Sequence, residues 1–306
     1  MSALRVCLRL FLDWLGERHG LALTAESGDG PANALAAVAA NGETSIVIEV
    51  HDLLEPVRDD VWLAHREQLE REIAKGLPGT FALWAPPGAD LPREEAATAD
   101  FVSRVRETAT GLAVGERSYV ALPVSLYLRR QQDEGGLVSV SGGLNRYWAR
   151  LTEHVRGTYD LDSTRLHRLP ESQDHLDSLF ETIVARASEL TEVGQWTEIE
   201  TIDAWTLQRL EGEDGVTIVG RPPSEIGDVG LSVRRNFRRL LADACPRLRD
   251  AEAEARALVV LGPYGRMEDE GATIAMRGYD PTLYAGLDYV CLVADGLVKA
   301  LLEART

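Results

Sequence analysis

The sequence predicts an α/β (or α+β) fold, a mixed central sheet flanked by helices, on three observations. Leu8, Phe11, Leu12 and Leu15 recur at i, i+3, i+4 and i+7, the spacing of an amphipathic helix, while "SIVIEV" at 45–50 is a short apolar run of β-formers. Read in order, residues 4–88 run α-β-β-β-α-β. The 306 residues are 45% hydrophobic, enough for a sizeable core in one large or two moderate domains.

The first helix, "LRLFLDWLGERHG", is stopped by Gly20. "LALTAES" reads as a strand and "GDGP" as a turn. "NALAAVAANGETSIVIEV" reads as two strands about Asn41-Gly42, because an Asn-Gly step between apolar runs is a strong hairpin signal. A second helix covers 61–76, with Trp62, Leu69 and Ile73 on one face. "TFALWAPPG" is a strand ended by Pro86-Pro87.

A third helix is expected over 93–110. "SYVALPVSLYLRRQQDEGGLVSVSGG" reads as a strand pair turning at 134–136, "LNRYWARLTEHV" as helix and "DLDSTRLHRLPESQ" as loop. A long helix follows over 173–192. "WTEIETIDAWTLQRL" and "GVTIVGRPP" read as a second strand pair, and "LSVRRNFRRLLADAC" as a helix. "ALVVLGPYG" could add a strand to the first sheet, and the last segment turns at Asp295-Gly296. The division expected is a core over 1–115 and a helical and β-hairpin elaboration over 116–306 that can return strands to the same sheet.

No apolar run approaches the roughly 20 residues that span a bilayer. Arg5, Arg9 and Asp13 interrupt the N-terminal apolar stretch, so a cytoplasmic protein without membrane contact is expected. Cys7, Cys245 and Cys291 stand singly, which argues against zinc and for small core residues. The net charge of −17 opposes broad non-specific nucleic-acid binding but allows a local basic patch. Lys75 and Lys299 are the lysines of the chain, so hardly any lysine is available for catalysis.

The stretch "SIVIEVHDLL" ends an apolar strand on Glu49, with His51 two residues on and so on the same strand face. With the α-β-β-β-α-β order, this resembles the restriction-endonuclease-like core of the PD-(D/E)XK nuclease superfamily, with a degenerate motif. That resemblance implies a divalent metal held by acids, and a lysine that helps activate water. Glu49 matches the third-strand acid and His51 stands at the lysine position. In "GPANALAAV" Pro31 is present, but Ala32 or Asn33 stands where the second-strand aspartate is expected. Glu17 matches an extra acid on the first helix of some members, and Gln68 a glutamine on the following helix. Asp29 is a substitute for the missing aspartate, and Lys75 a migrated lysine at the far end of its helix.

The resemblance therefore implies a catalytically degenerate nuclease-like protein, a nucleic-acid-associated or protein-binding subunit. Two alternatives remain open. One is an active Mg²⁺- or Mn²⁺-dependent nuclease or hydrolase using Glu49 and His51, with Asp29 or Glu17 completing the metal set. The other is a purely structural or interaction protein, including a homo-oligomer. Solvation of Glu49 and His51, or a pair with Arg58, is the simpler reading of that strand end.

Arg234, Arg235, Arg238 and Arg239 in "RRNFRR" lie on a helix at i, i+4 pairs, and with Arg221 they form the best local anion patch for a phosphate backbone or an acidic partner. Gly142-Gly143 with Asp160 and Asp162 resembles the Gly-Gly and Asp-x-Asp of nucleotidyltransferases, at longer spacing. The tryptophans read mostly as core anchors. No phosphate-cradling glycine loop and no serine nucleophile elbow is present.

Overall fold

The structure, a computed structural model, describes residues 2–20, 23–26, 34–39, 45–54, 57–170, 172–225, 229–262, 276 and 279–303. Among these, six helices and two mixed sheets make an α/β fold. In chain order the elements are α1 (Ala3–His19), β1 (Leu23–Glu26), β2 (Ala34–Ala39), β3 (Ser45–Asp52), α2 (Asp60–Ala74), β4 (Thr80–Trp84) and α3 (Glu95–Ala109). There follow β5 (Arg117–Gln132), β6 (Gly136–Gly142), α4 (Trp148–Thr152), β7 (Gly157–Ser163), α5 (Gln173–Glu189) and β8 (Trp196–Leu210). The chain ends with β9 (Gly215–Val219), α6 (Val229–Arg249), β10 (Ala255–Leu261), β11 (Tyr289–Ala294) and β12 (Leu297–Glu303). No helix among the described residues is long and apolar enough to cross a membrane.

The chain forms two compact units. The first comprises Met1–Asp90, Ala109–Arg117 and Leu207–Thr306, the second Leu91–Thr108 and Ser118–Thr206. In the first unit one sheet runs β1-β2-β3-β10-β11-β12. β1, β2 and β3 are antiparallel neighbours, β3, β10 and β11 run parallel, and β12 returns antiparallel. The central strands are covered on both faces, which is why "ALVVL" and "YVCLVA" are apolar without alternation. Ile46, Ile48 and Val50 of β3 pack with Phe11 and Leu15 of α1, and Val47 packs on the other face with Phe237 and Leu241 of α6.

Local chemistry sets the element ends. Ser2 caps α1 through a bond from Arg5 N at 3.4 Å, and Gly20 closes that helix at φ 66. Asp59 accepts from Trp62 N at 2.9 Å to start α2. Asp295 at φ 53 and Gly296 at φ 76 form the two-residue β11–β12 turn, as their sequence predicts.

The strand beside β3 is β10, from near the far end of the chain, and not β4. β4 instead pairs in parallel with β9 and lies between it and the last residues of β8. All five β4 residues are buried, so its apolar run fits any interior position equally well. The Asn41-Gly42 turn and the "GDGP" turn lie outside the described residues, though β2 and β3 do pair antiparallel.

In the second unit the order is β6-β7-β5-β8. β5 and β6 are both strands, but β7 lies between them, antiparallel to β5 and parallel to β6. The segment read as loop at "DLDS" is thus the end of a strand. Tyr159, Leu161 and Ser163 face inward in alternation with Asp160 and Asp162, whose poor strand propensity hid the period. Leu176, Phe180 and Ile183 of α5 cover this core. Trp62, Trp84 and Trp205 are buried as expected, whereas Trp148 and Trp196 are 49% and 62% exposed. All three cysteines are buried and free.

Candidate functional site

Alternation along β3 sends Glu49 and His51 to the α6 face of the sheet and Asp52 to the α1 face. Glu49 is 1% exposed, and a carboxylate so buried needs partners. Arg247, near the end of α6, supplies them: its Nε donates to Oε1 at 3.0 Å and its Nη2 to Oε2 at 2.7 Å. His51 Nε2 lies 2.8 Å from the same Oε2. Burial pushes the Glu49 carboxyl up, and the hydrogen bonds from His51 and Arg247 more than offset it, so it titrates below the ordinary glutamate range. Arg247 is held correspondingly higher by its bond to Glu49.

This arrangement does not fit a divalent cation. Both Glu49 oxygens are engaged by nitrogen groups, and among the described residues no three His, Cys, Asp or Glu side chains converge as a metal set. Glu17 is exposed on α1, which covers the opposite sheet face, so it is not brought to Glu49. Gln68 lies on α2, which packs on β9 through a Glu70 Oε1 bond from Ile218 N at 2.8 Å, and Lys75, its C-cap, pairs with Glu72 at 2.6 Å. Asp29, Pro31, Ala32 and Asn33 lie outside the described residues. Arg247 takes the place expected of Arg58. It sits 198 residues from Glu49 in sequence, so no local pattern could have marked it.

No family model, curated protein or solved structure matches the chain.

Arg234, Arg235, Arg238 and Arg239 all lie exposed on α6, because Val233, Phe237 and Leu241 turn the other side of the helix into the core. Arg221 does not join them. Its side chain is 9% exposed, and its Nη2 donates to Asp52 Oδ2 at 2.6 Å. Asp52 also accepts from Leu54 N at 3.0 Å, and burial raises its carboxyl above the usual range.

In the second unit the glycine pair and the two aspartates have packing roles. A Cβ on Gly142 would meet Ser163 backbone at 2.3 Å, and one on Gly143 would meet Leu166 O at 2.1 Å. Asp160 accepts from Gln131 Nε2 across the strands. Asp162 accepts from Thr164 Oγ1 and N at 2.6 and 2.9 Å, which hold it below the usual range. The most fully bonded carboxylate there went unnoticed in the sequence. Asp203 is 2% exposed and accepts from His167 N and Arg168 N at 3.1 and 2.7 Å. It also meets His167 Nδ1 and Trp205 Nε1, each at 3.0 Å.

Proposed function

We propose that this chain is a catalytically degenerate nuclease-like protein that acts as a nucleic-acid-associated or protein-binding subunit. The observation that carries the reading is the guanidinium of Arg247 on both oxygens of Glu49. Of the α-β-β-β-α-β order read over residues 4–88, α1 packs on the sheet of β1, β2 and β3, whereas β4 joins the other sheet, and β10 and α6 stand against β3 in the places expected of β4 and α2. In that frame Glu49 stands on the strand where a metal-binding acid belongs, and α6 brings it a permanent cation instead. A metal would have to break the charge-assisted bonds of Arg247 and shed part of its own hydration shell.

The binding role rests on the outer face of α6. Four exposed arginines on one helix give an acidic chain a local surface for phosphates or for an acidic protein. The deciding experiment is a cleavage assay with single- and double-stranded DNA and RNA in Mg²⁺ or Mn²⁺. Activity no higher than that of Glu49→Ala is expected. Robust cutting that disappears in Glu49→Ala would establish the hydrolase reading and give His51 a catalytic role.

A further inference from the structure

On the sheet face opposite Glu49 a cavity of about 100 Å³ opens where β3, β4, β9 and β10 end. All four arrive by their carboxyl ends, the side of parallel strands at which α/β proteins receive ligands. Two side-chain N–H groups on its wall, Arg66 Nε and Trp84 Nε1, make no hydrogen bond among the described residues. Arg66 lies over the Trp62 ring at 5.5 Å, and its Nε is in ion-pair range of Glu70 at 3.4 Å without hydrogen-bond geometry. Trp84 is 4% exposed, and its Nε1–H has no partner. Ala3, the first residue of the 17-residue α1, lines the cavity, which sets the positive end of that helix beside it.

The acids on the wall do not meet that demand. Asp52 is held by Arg221 and Leu54 N, and Asp295 is engaged within the fold. They limit how much negative charge the cavity tolerates and can accept a ligand proton. One acceptor also lacks a donor: Gln208 Oε1 is buried and lies 2.7 Å from the position a Gly296 Cβ would take, with Trp84 Nε1 3.5 Å from that same point. The space suits one small ion.

We propose that this cavity binds a small, singly charged oxyanion, a phosphate or a short carboxylate, through Arg66, the Trp84 indole N–H and the amino end of α1. The site does not depend on the nuclease-like reading. Calorimetry on the full chain with phosphate, acetate and lactate, at ionic strength matched with chloride, tests it. Saturable binding to at least one anion is expected, and the tightest of the three separates phosphate from carboxylate. Affinity should fall at least tenfold in Arg66→Gln and several-fold in Trp84→Phe, which keeps a ring in the core, and be unchanged in Arg186→Gln, an exposed arginine of α5 paired with Glu189. The wild type offers a second reading that needs no folded variant: the Trp84 indole N–H resonance should shift saturably with the same anion. No saturable binding, an unmoved indole resonance, or equal weakening in Arg186→Gln would overturn the proposal.

Discussion

Arg247 grips Glu49 through two parallel hydrogen bonds, Nε to Oε1 at 3.0 Å and Nη2 to Oε2 at 2.7 Å. The acid is buried in the sheet, while the arginine side chain is 43% exposed at the edge of α6. The energetic asymmetry follows from that difference. Removing the arginine strands a buried charge, whereas removing the acid releases an arginine that water can solvate.

Arg247→Met is therefore expected to destabilise the protein by about 3 kcal/mol at neutral pH, and Glu49→Met by less. Together with Arg247→Met, the Glu49→Met change should cost less than the sum of the two single changes, with a coupling of at least about 1.5 kcal/mol. Urea unfolding of the four proteins measures this. Additive effects would mean that the pair is not coupled in solution.

The pH profile should separate buried Glu49 from half-buried Glu70, whose shifts have opposite sign. Glu49 titrates below the ordinary 4.5, so its contribution is present above that value and lost as pH falls through the lowered one. Burial raises Glu70 above 4.5, so its contribution is present below that value and lost as pH rises through the raised one. Between about pH 3 and pH 6 the stability of Glu49→Gln should fall relative to wild type, and that of Glu70→Gln should rise. Parallel profiles would contradict the burial and pairing of the two groups.

Millimolar Mg²⁺ or Mn²⁺ should shift the melting temperature by less than about 1 °C, because an ion that does not bind the native state cannot stabilise it. A larger shift in wild type that vanishes in Glu49→Gln would reverse the proposal for this site.

If the outer face of α6 meets phosphates, Arg235→Glu with Arg239→Glu should weaken binding to duplex DNA or RNA and lower the slope of log K against log salt by about 2. Titration at three salt concentrations reads both. Unbound nucleic acid at low salt would leave an acidic protein as the partner of this face.

Asp203→Asn should destabilise by about 3 kcal/mol, since it turns one of two doubly bonded oxygens into a donor facing donors. Asp160→Asn, on the exposed face of β7, should stay within about 0.5 kcal/mol. Equal effects would show that the Asp203 network contributes nothing special.

Much of the local structure was legible in the residues themselves. The apolar stripe Leu8, Phe11, Leu12 and Leu15 became the buried face of α1, and Asp295-Gly296 became the tight turn its φ values allow. Glu49 and His51 were readable as neighbours on one strand face because a period of two is a property of the chain, independent of what covers it. β7 was missed because Asp160 and Asp162 look like turn residues, and only the burial of Tyr159 and Leu161 reveals the alternation.

By itself the sequence determined where most helices and strands form, β7 excepted, since capping, turn chemistry and periodicity act over a few residues. Tertiary structure alone decided which strands pair and which charges meet. The runs of β4, β9, β10 and β11 are apolar and chemically interchangeable, so nothing local says that β10 lies beside β3 or that β4 lies beside β9. The same holds for the site. That Glu49 would meet Arg247, and Asp52 would meet Arg221, depends on chain ends brought together by burial, a term proportional to area and blind to sequence distance.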